Sequence, residues 1–248
     1  MRDLINKVAV VTGGSRGIGK AIARVLLNHG MHVMIVSSGE SAKKVASEFK
    51  NEGFFIHGLA ADLENVDSAK LIIRECIECF GTLDLLVNDA GVAYIRSALE
   101  QTAEEFEKTL KINLEAPFLL SQEAAKYWIS EKKEGSIVNI ASQAAAQAFD
   151  GHAAYTASKA GLIAMTSVMA LEWGKYGIRV NCISPGLVQT EMAAENWGDG
   201  TEVLKKLSLP RFAQSEEIGE GVVYLASDAA RAITDMNLRI DSGPKHLF

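Results

Sequence analysis

Short β-branched runs alternate with longer amphipathic stretches along the whole chain. Runs such as Val8-Ala9-Val10-Val11 and Val33-Met34-Ile35-Val36 are apolar at every position rather than at every second one, the pattern of a strand covered on both faces. Seven strands are predicted, at 7–12, 32–37, 54–60, 83–88, 135–141, 178–184 and 237–241. Between them, apolar positions recurring every three or four residues predict helices at 17–29, 40–51, 66–80, 103–114, 117–131, 153–176, 188–206 and 215–227. Gly30, Gly53 and Gly81 follow three of these helices, where a left-handed C-cap favours glycine. Strand and helix alternate, so the expected fold class is α/β: a single-domain, doubly wound parallel sheet with helices on both faces. No linker, fixed-period repeat or low-complexity tract interrupts the alternation, and residues 1–248 read as one domain. Gly198-Asp199-Gly200 breaks the 188–206 segment and marks it as the mobile element rather than a boundary.

Composition narrows the function classes. With 48% apolar and 23% charged residues, the chain fits a soluble globular protein and not a disordered or disulfide-framework one. Lys and Arg total 25 against 31 Asp and Glu, a net charge of −6 with no basic block, which argues against nucleic acid as a partner. Three cysteines, Cys76, Cys79 and Cys182, leave no even disulfide set, and the expected compartment is the reducing cytoplasm. Cys76 and Cys79 have the spacing of half a zinc site, but no second ligand pair follows and they read as two small residues on a helix. The five histidines show no ligand spacing, so no metal is expected. The start mixes charges of both signs and its first apolar run breaks at Thr12-Gly13-Gly14, unlike a signal peptide. No apolar stretch approaches the ~18–20 residues that cross a bilayer, so no membrane is expected.

Chemistry enters at Thr12-Gly13-Gly14-Ser15-Arg16-Gly17-Ile18-Gly19, between the first strand and the first helix. Glycines there permit a tight turn and close approach of a pyrophosphate to the backbone, while the helix start offers N–H groups and a favourable dipole. A dinucleotide site usually carries an acid at the end of strand two, which binds the adenosine ribose and repels a 2′-phosphate. Here Ser37-Ser38-Gly39 occupies that place and Arg16 projects nearby, which favours NADP(H). Glu40 keeps NAD as the alternative, because a register shift of one residue would bring its carboxylate to the ribose.

A second constellation is Tyr155-Thr156-Ala157-Ser158-Lys159. In a helix, the tyrosine and lysine at i and i+4 share one face. An ammonium beside a phenol stabilises the phenolate and brings it toward working pH as an acid/base group. Ser142 ends the fifth strand, at the carboxyl edge where open α/β sheets bind ligands.

Together these residues resemble the short-chain dehydrogenase/reductase family, which has a Rossmann fold. The resemblance covers essentially the whole chain: the glycine turn, Asp62, Asn88-Asp89-Ala90-Gly91, Lys111-Ile112-Asn113, Ser142, Tyr155 with Lys159, Asn181, and Pro185-Gly186 with Thr190 occur in the family's order. It implies Tyr155 as the acid/base, Ser142 holding the carbonyl oxygen, Lys159 lowering the tyrosine pKa and binding the nicotinamide ribose, and Asn113 holding a water that links the lysine to solvent. Gly13, Ser15, Arg16, Gly17, Ile18, Gly19, Ser37 and Ser38 would bind cofactor, with Asp62 and Leu63 at the adenine and Asn88, Ala90 and Gly91 beside the adenosine ribose. Pro185, Gly186, Val188 and Thr190 would clamp the nicotinamide. Two departures stand out. The usual Asn-Asn-Ala-Gly reads Asn88-Asp89-Ala90-Gly91, and the usual Asp-Gly-Gly near the end reads Asp241-Ser242-Gly243. The family also implies a homotetramer.

The substrate is expected to be a small carbonyl or alcohol. Gln143 follows the serine, and Trp197 and Asp199 lie in the 188–206 segment, the lid over the substrate. This Ser-Gln pair with a Trp-x-Asp lid resembles the sugar and polyol branch, including xylulose reductases and alditol dehydrogenases. The runner-up is a 3-oxoacyl-acyl-carrier-protein reductase, and the more distant alternative a nucleotide sensor without turnover.

Overall fold

The computed structural model describes residues 2–188 and 204–243. Seven strands form one parallel sheet: β1 (Val8–Thr12), β2 (His32–Ser37), β3 (Ile56–Ala60), β4 (Leu85–Asn88), β5 (Gly135–Ile140), β6 (Ile178–Pro185) and β7 (Asn237–Ile240). Their spatial order is β3-β2-β1-β4-β5-β6-β7. The chain therefore builds outward from β1 in one direction, then returns to start again at β4. That reversal opens a crevice at the carboxyl ends of β1 and β4, the position where doubly wound sheets bind ligands.

The all-apolar strands serve two cores. Val10, which pairs with Met34 and Leu86, faces the side covered by α3 (Ser68–Phe80), α5 (Ala116–Glu131) and α6 (Ala153–Trp173), where Ile72, Leu120 and Trp128 are buried. Ala9 and Val11 face the side covered by α1 (Gly17–Asn28), α2 (Ser41–Asn51) and α7 (Ser215–Ala226), where Ile22, Leu26, Phe49 and Val222 are buried. The inner strands β1, β4 and β5 thus remove both rows of side chains from water, where alternation with polar residues would bury unpaired groups, while edge strand β7 stays partly exposed. Gly81 ends α3 in the left-handed conformation, φ 78°, as its place after the helix predicts.

Three elements differ from the sequence reading. The helices expected at 103–114 and 117–131 are one continuous rod, in which α4 (Ala103–Leu110) passes through a wide π turn, Lys111–Glu115, into α5. Ala116 N–H reaches back to the Lys111 carbonyl, and Pro117 has no N–H to offer the Asn113 carbonyl, so the sequence signal for a break becomes a bulge. α6 stops at Trp173 and a 3₁₀ turn carries the chain to Tyr176, because Gly174 and Gly177 loosen the last turn. At the start of the helix expected over 188–206, Val188 instead makes a parallel bridge with Ala213, while 189–203 lie outside the described residues. Among the described residues, no helix is long and apolar enough to cross a membrane.

Candidate active site

The glycine turn is shaped by what its neighbours leave room for. Thr12 Oγ1 accepts hydrogen bonds from the N–H groups of Asp89 and Ala90, both at 3.2 Å, tying the end of β1 to the chain leaving β4. Gly13, at φ +70°, lies so close that a Cβ there would sit 2.9 Å from Ala90 Cα. A Cβ on Gly19 would sit 2.6 Å from Asp89 Oδ2. Gly17 also has positive φ, with open space beyond it. Arg16 enters α1 in extended conformation without a side-chain cap. The turn therefore presents backbone and the start of α1 to the crevice, a cradle that suits the pyrophosphate of a dinucleotide.

At the ribose edge, the hydroxyls expected to meet a 2′-phosphate are partly engaged. Ser37 Oγ accepts from Ala42 N–H at 3.0 Å, donates to the Gly39 carbonyl at 3.0 Å and lies 2.9 Å from Ser41 Oγ. It caps the start of α2, a local role that competes with ligand binding. Ser41 in turn donates to Ser15 Oγ at 3.1 Å. Ser38 and Arg16 are exposed. Glu40 is drawn along α2 by an ion pair with Lys43 at 3.0 Å.

Asp62 follows β3, where its Oδ1 accepts from Glu64 N–H at 3.0 Å, and Leu63 packs against the second core. Asn88 is buried, its amide donating to Asn139 Oδ1 at 2.8 Å and Ser121 Oγ at 3.2 Å. Its side chain thereby ties β4 to β5 and α5, and what it offers the crevice is backbone. Gly91 packs so that a Cβ would meet Asn113 Oδ1 at 3.3 Å and Lys159 Nζ at 3.6 Å. On the far side, Gly186 donates to the Ile240 carbonyl at 3.0 Å and lies against Asp241, with Cα 2.6 Å from a Cβ placed there. Pro185 ends β6 and Val188 is buried. Asn181 is an internal pin, donating to the Ile233 carbonyl and accepting from Met236 N–H. Thr190, Trp197 and Asp199 lie outside the described residues.

The four polar residues expected to do chemistry come together between β5 and α6. Lys159 is 4% exposed and its ammonium donates to the Ile140 carbonyl at 2.8 Å, 5.8 Å from the Tyr155 ring centroid. Ser142 faces the Tyr155 phenol closely enough to pull its pKa down and accepts from Ala144 N–H at 3.1 Å. Asn113, carried inward by the π turn, accepts from Val92 N–H at 2.8 Å and donates to the Val92 carbonyl at 2.9 Å. Its amide also donates to Ser158 Oγ at 3.1 Å, which donates to the Tyr155 carbonyl at 2.7 Å.

Electrostatics corrects one expectation. Burial pushes the Tyr155 phenol above its ordinary value, the Ser142 hydrogen bond pulls it back and the Asp89 carboxylate pushes it up again. The phenol is therefore not lowered in the protein alone, because desolvation dominates and the Lys159 ammonium is directed at a backbone carbonyl. Burial lowers Lys159, against a raising pull from Asp89. Asp89 itself is raised by burial to about 7, with Lys159 and the Gly19 N–H pulling down.

Two further observations concern substrate. Gln143 Oε1 is buried without a partner among the described residues. His152, which the sequence reading weighed only as a metal ligand, lays its ring edge-on to Tyr155, centroids 6.1 Å apart. Its place three residues before the tyrosine, one helical turn away, was the available signal. Gln101 was also missed. It stitches the loop after β4 to α6 by accepting from Ala154 N–H at 3.2 Å, a contact between distant segments that no local pattern announces.

The family model for short chain dehydrogenases matches residues 7–200. The chain is 41% identical over 244 residues to D-threitol dehydrogenase of Mycolicibacterium smegmatis, covering 97% of this chain and 93% of that protein. It is 37% identical over 243 residues to an NAD-dependent glycerol dehydrogenase of Listeria innocua, covering 97% and 94%. The solved structure of a double mutant of a Serratia marcescens short-chain dehydrogenase/reductase matches with a TM-score of 0.90 at 34% identity, covering 98% of this chain and 100% of that one. Matched over most of its sequence and nearly all of its fold, the chain belongs to the short-chain dehydrogenase/reductase family, oxidoreductases that use a nicotinamide cofactor on alcohols and ketones.

Proposed function

We propose that the protein interconverts a secondary alcohol and a ketone on a sugar or polyol, with NADP(H) preferred over NAD(H). The observation that carries the substrate class is Gln143 Oε1, buried beside Ser142 with no partner among the described residues. A buried acceptor without a donor costs about 1–3 kcal/mol. A substrate hydroxyl next to the reacting carbon would supply that donor. The names of the threitol and glycerol dehydrogenase relatives support the same class.

The cofactor would lie over the Gly13–Gly19 turn, with Asp62 and Leu63 at the adenine end and Pro185, Gly186, Val188 and Thr190 at the nicotinamide. Bound there, it supplies or accepts the hydride. In the reducing direction Tyr155 gives its phenolic proton to the carbonyl oxygen, and Ser142 steadies that oxygen with a second hydrogen bond. Lys159 would hold the nicotinamide ribose, and its charge would favour the phenolate of Tyr155 one turn along α6. Asn113, whose amide is fully engaged, holds the relaying water on its backbone carbonyl, which Pro117 cannot bond. Arg16, exposed at the turn, would meet the 2′-phosphate together with Ser38, with Glu40 paired to Lys43. Ser142 facing Tyr155, with Lys159 one turn along, favours an enzyme over a sensor.

A second copy would cover α4, α5 and α6, where Phe118 and Val168 are exposed and Leu171 is 84% exposed. This supports the homotetramer, and free cysteines support a cytoplasmic site. A panel of ketoses, alditols and acetoacetyl thioesters, run with both cofactors, tests the reading. Turnover of four- to six-carbon ketoses or alditols supports it. Preference for acetoacetyl thioesters over every sugar would replace it with the acyl-carrier-protein reductase alternative.

A further inference from the structure

Asp89 follows β4, and its carboxylate lies against the glycine turn between β1 and α1. The Gly19 N–H pulls its carboxyl down against burial, and its Oδ2 would lie 2.6 Å from a Cβ on Gly19 and 3.2 Å from one on Gly13. Its backbone is fixed by Thr12 at 3.2 Å. From α6, Lys159 and Tyr155 face it electrostatically. Behind Lys159, on β6, Cys182 is held neutral by burial, its thiol raised to about 11. From the turn and α1, the backbone of Gly13 and Gly19 lies against it.

We propose, resting on the dinucleotide reading above, that cofactor binding is linked to protonation of Asp89: seating a pyrophosphate on the glycine turn draws one proton from solvent onto this carboxylate. Two anions would otherwise press on the same short peptide turn, and a like charge favours the neutral form of an acid. Burial already brings Asp89 to about 7, so the added charge acts where physiological pH can supply the proton. As a neutral acid, Asp89 keeps a carbonyl oxygen facing the turn, and Thr12 still fixes its backbone. An amide at this position would show no such linkage.

Calorimetric titration with NADH, in buffers of different ionisation enthalpy, counts protons taken up on binding. NADH is the probe because a 2′-phosphate would itself titrate near neutral pH. At pH 7.5 the wild type is expected to take up roughly half a proton per site, and its NADH affinity to weaken several-fold between pH 6.5 and 8.5. Asp89→Asn keeps a carbonyl oxygen facing the turn and should show almost no uptake and a flat affinity profile. Binding of NADH by the wild type without proton uptake overturns the inference while leaving the dinucleotide reading intact. Equal uptake in both proteins places the proton elsewhere, for example on Lys159, and also overturns it. Failure of the wild type to bind either NADH or NADPH defeats the dinucleotide reading itself.

Discussion

The two ends of the crevice are built by opposite means. At the glycine turn, the groups offered to a ligand are backbone, and the fold works by keeping side chains out: Gly13 and Gly19 have Ala90 and Asp89 where a Cβ would go. At the catalytic end, the groups are side chains, held by hydrogen bonds to backbone and to one another in the chain of contacts from Val92 through Asn113 and Ser158 to the Tyr155 carbonyl. The first end is sensitive to additions and the second to deletions. Binding and chemistry should therefore separate under mutation.

The largest effect is expected at the phenol. Tyr155→Phe should fold and bind cofactor normally but lose roughly 10²–10⁴-fold in turnover, the range for a positioned acid/base. Steady-state rates beside cofactor fluorescence check it, and near-normal turnover would remove Tyr155 from the mechanism. Lys159→Ala should lose turnover similarly and weaken cofactor binding as well, since both roles are assigned to one ammonium. Unchanged cofactor affinity would leave Lys159 with the phenol alone.

The complementary test adds a methyl group to the other end. Gly19→Ala forces a Cβ against Asp89 and the Gly13 carbonyl, an overpacking that typically costs about 1–3 kcal/mol. Cofactor binding should weaken at least tenfold and thermal stability fall, while turnover at saturating cofactor changes less than in Tyr155→Phe. If kcat collapses with affinity intact, the two ends are not separable in this way.

Smaller effects sharpen the ligand assignments at each end. Arg16→Ala should weaken NADPH by about ten- to a hundredfold and leave NADH nearly unchanged, the worth of a charge-assisted contact of ~1.5–3 kcal/mol. Equal losses for both cofactors would make Arg16 structural, and a wild-type preference for NADH would hand the ribose to an acid such as Glu40. Gln143→Leu is expected to raise KM for ketoses or alditols roughly tenfold while sparing a small apolar diketone. A uniform rise across both substrates would show that Gln143 supports the loop and does not read hydroxyls.

The legible parts of this protein are those written in short-range pattern. The seven strands and their parallel arrangement follow from runs such as Val8–Val11, whose every residue is apolar, separated by helix-length amphipathic segments. The glycine turn is legible because its spacing answers a local steric demand, and Tyr155 and Lys159 because one helical turn separates them. The joining of two expected helices through the 111–115 π turn was not legible, since Pro117 reads locally as a break. Nor was the engagement of Ser37, whose hydroxyl caps α2 rather than standing free for a phosphate.

What the sequence by itself determined is therefore the order of elements, the two-sided burial of the sheet and the identity of the chemical groups, because each rests on neighbours within a few residues. What only the tertiary structure decided is how those groups are spent. Asn88 turns inward to Asn139 and Ser121, 51 and 33 residues away, and Thr12 fixes Asp89 across 77 residues. Asp89 then lies under the phosphate turn and within the field of Lys159. Its ionisation depends on burial and on charges brought close by the parallel crossover from β3 to β4, and distances set by such a crossover are not encoded in any local stretch of the chain.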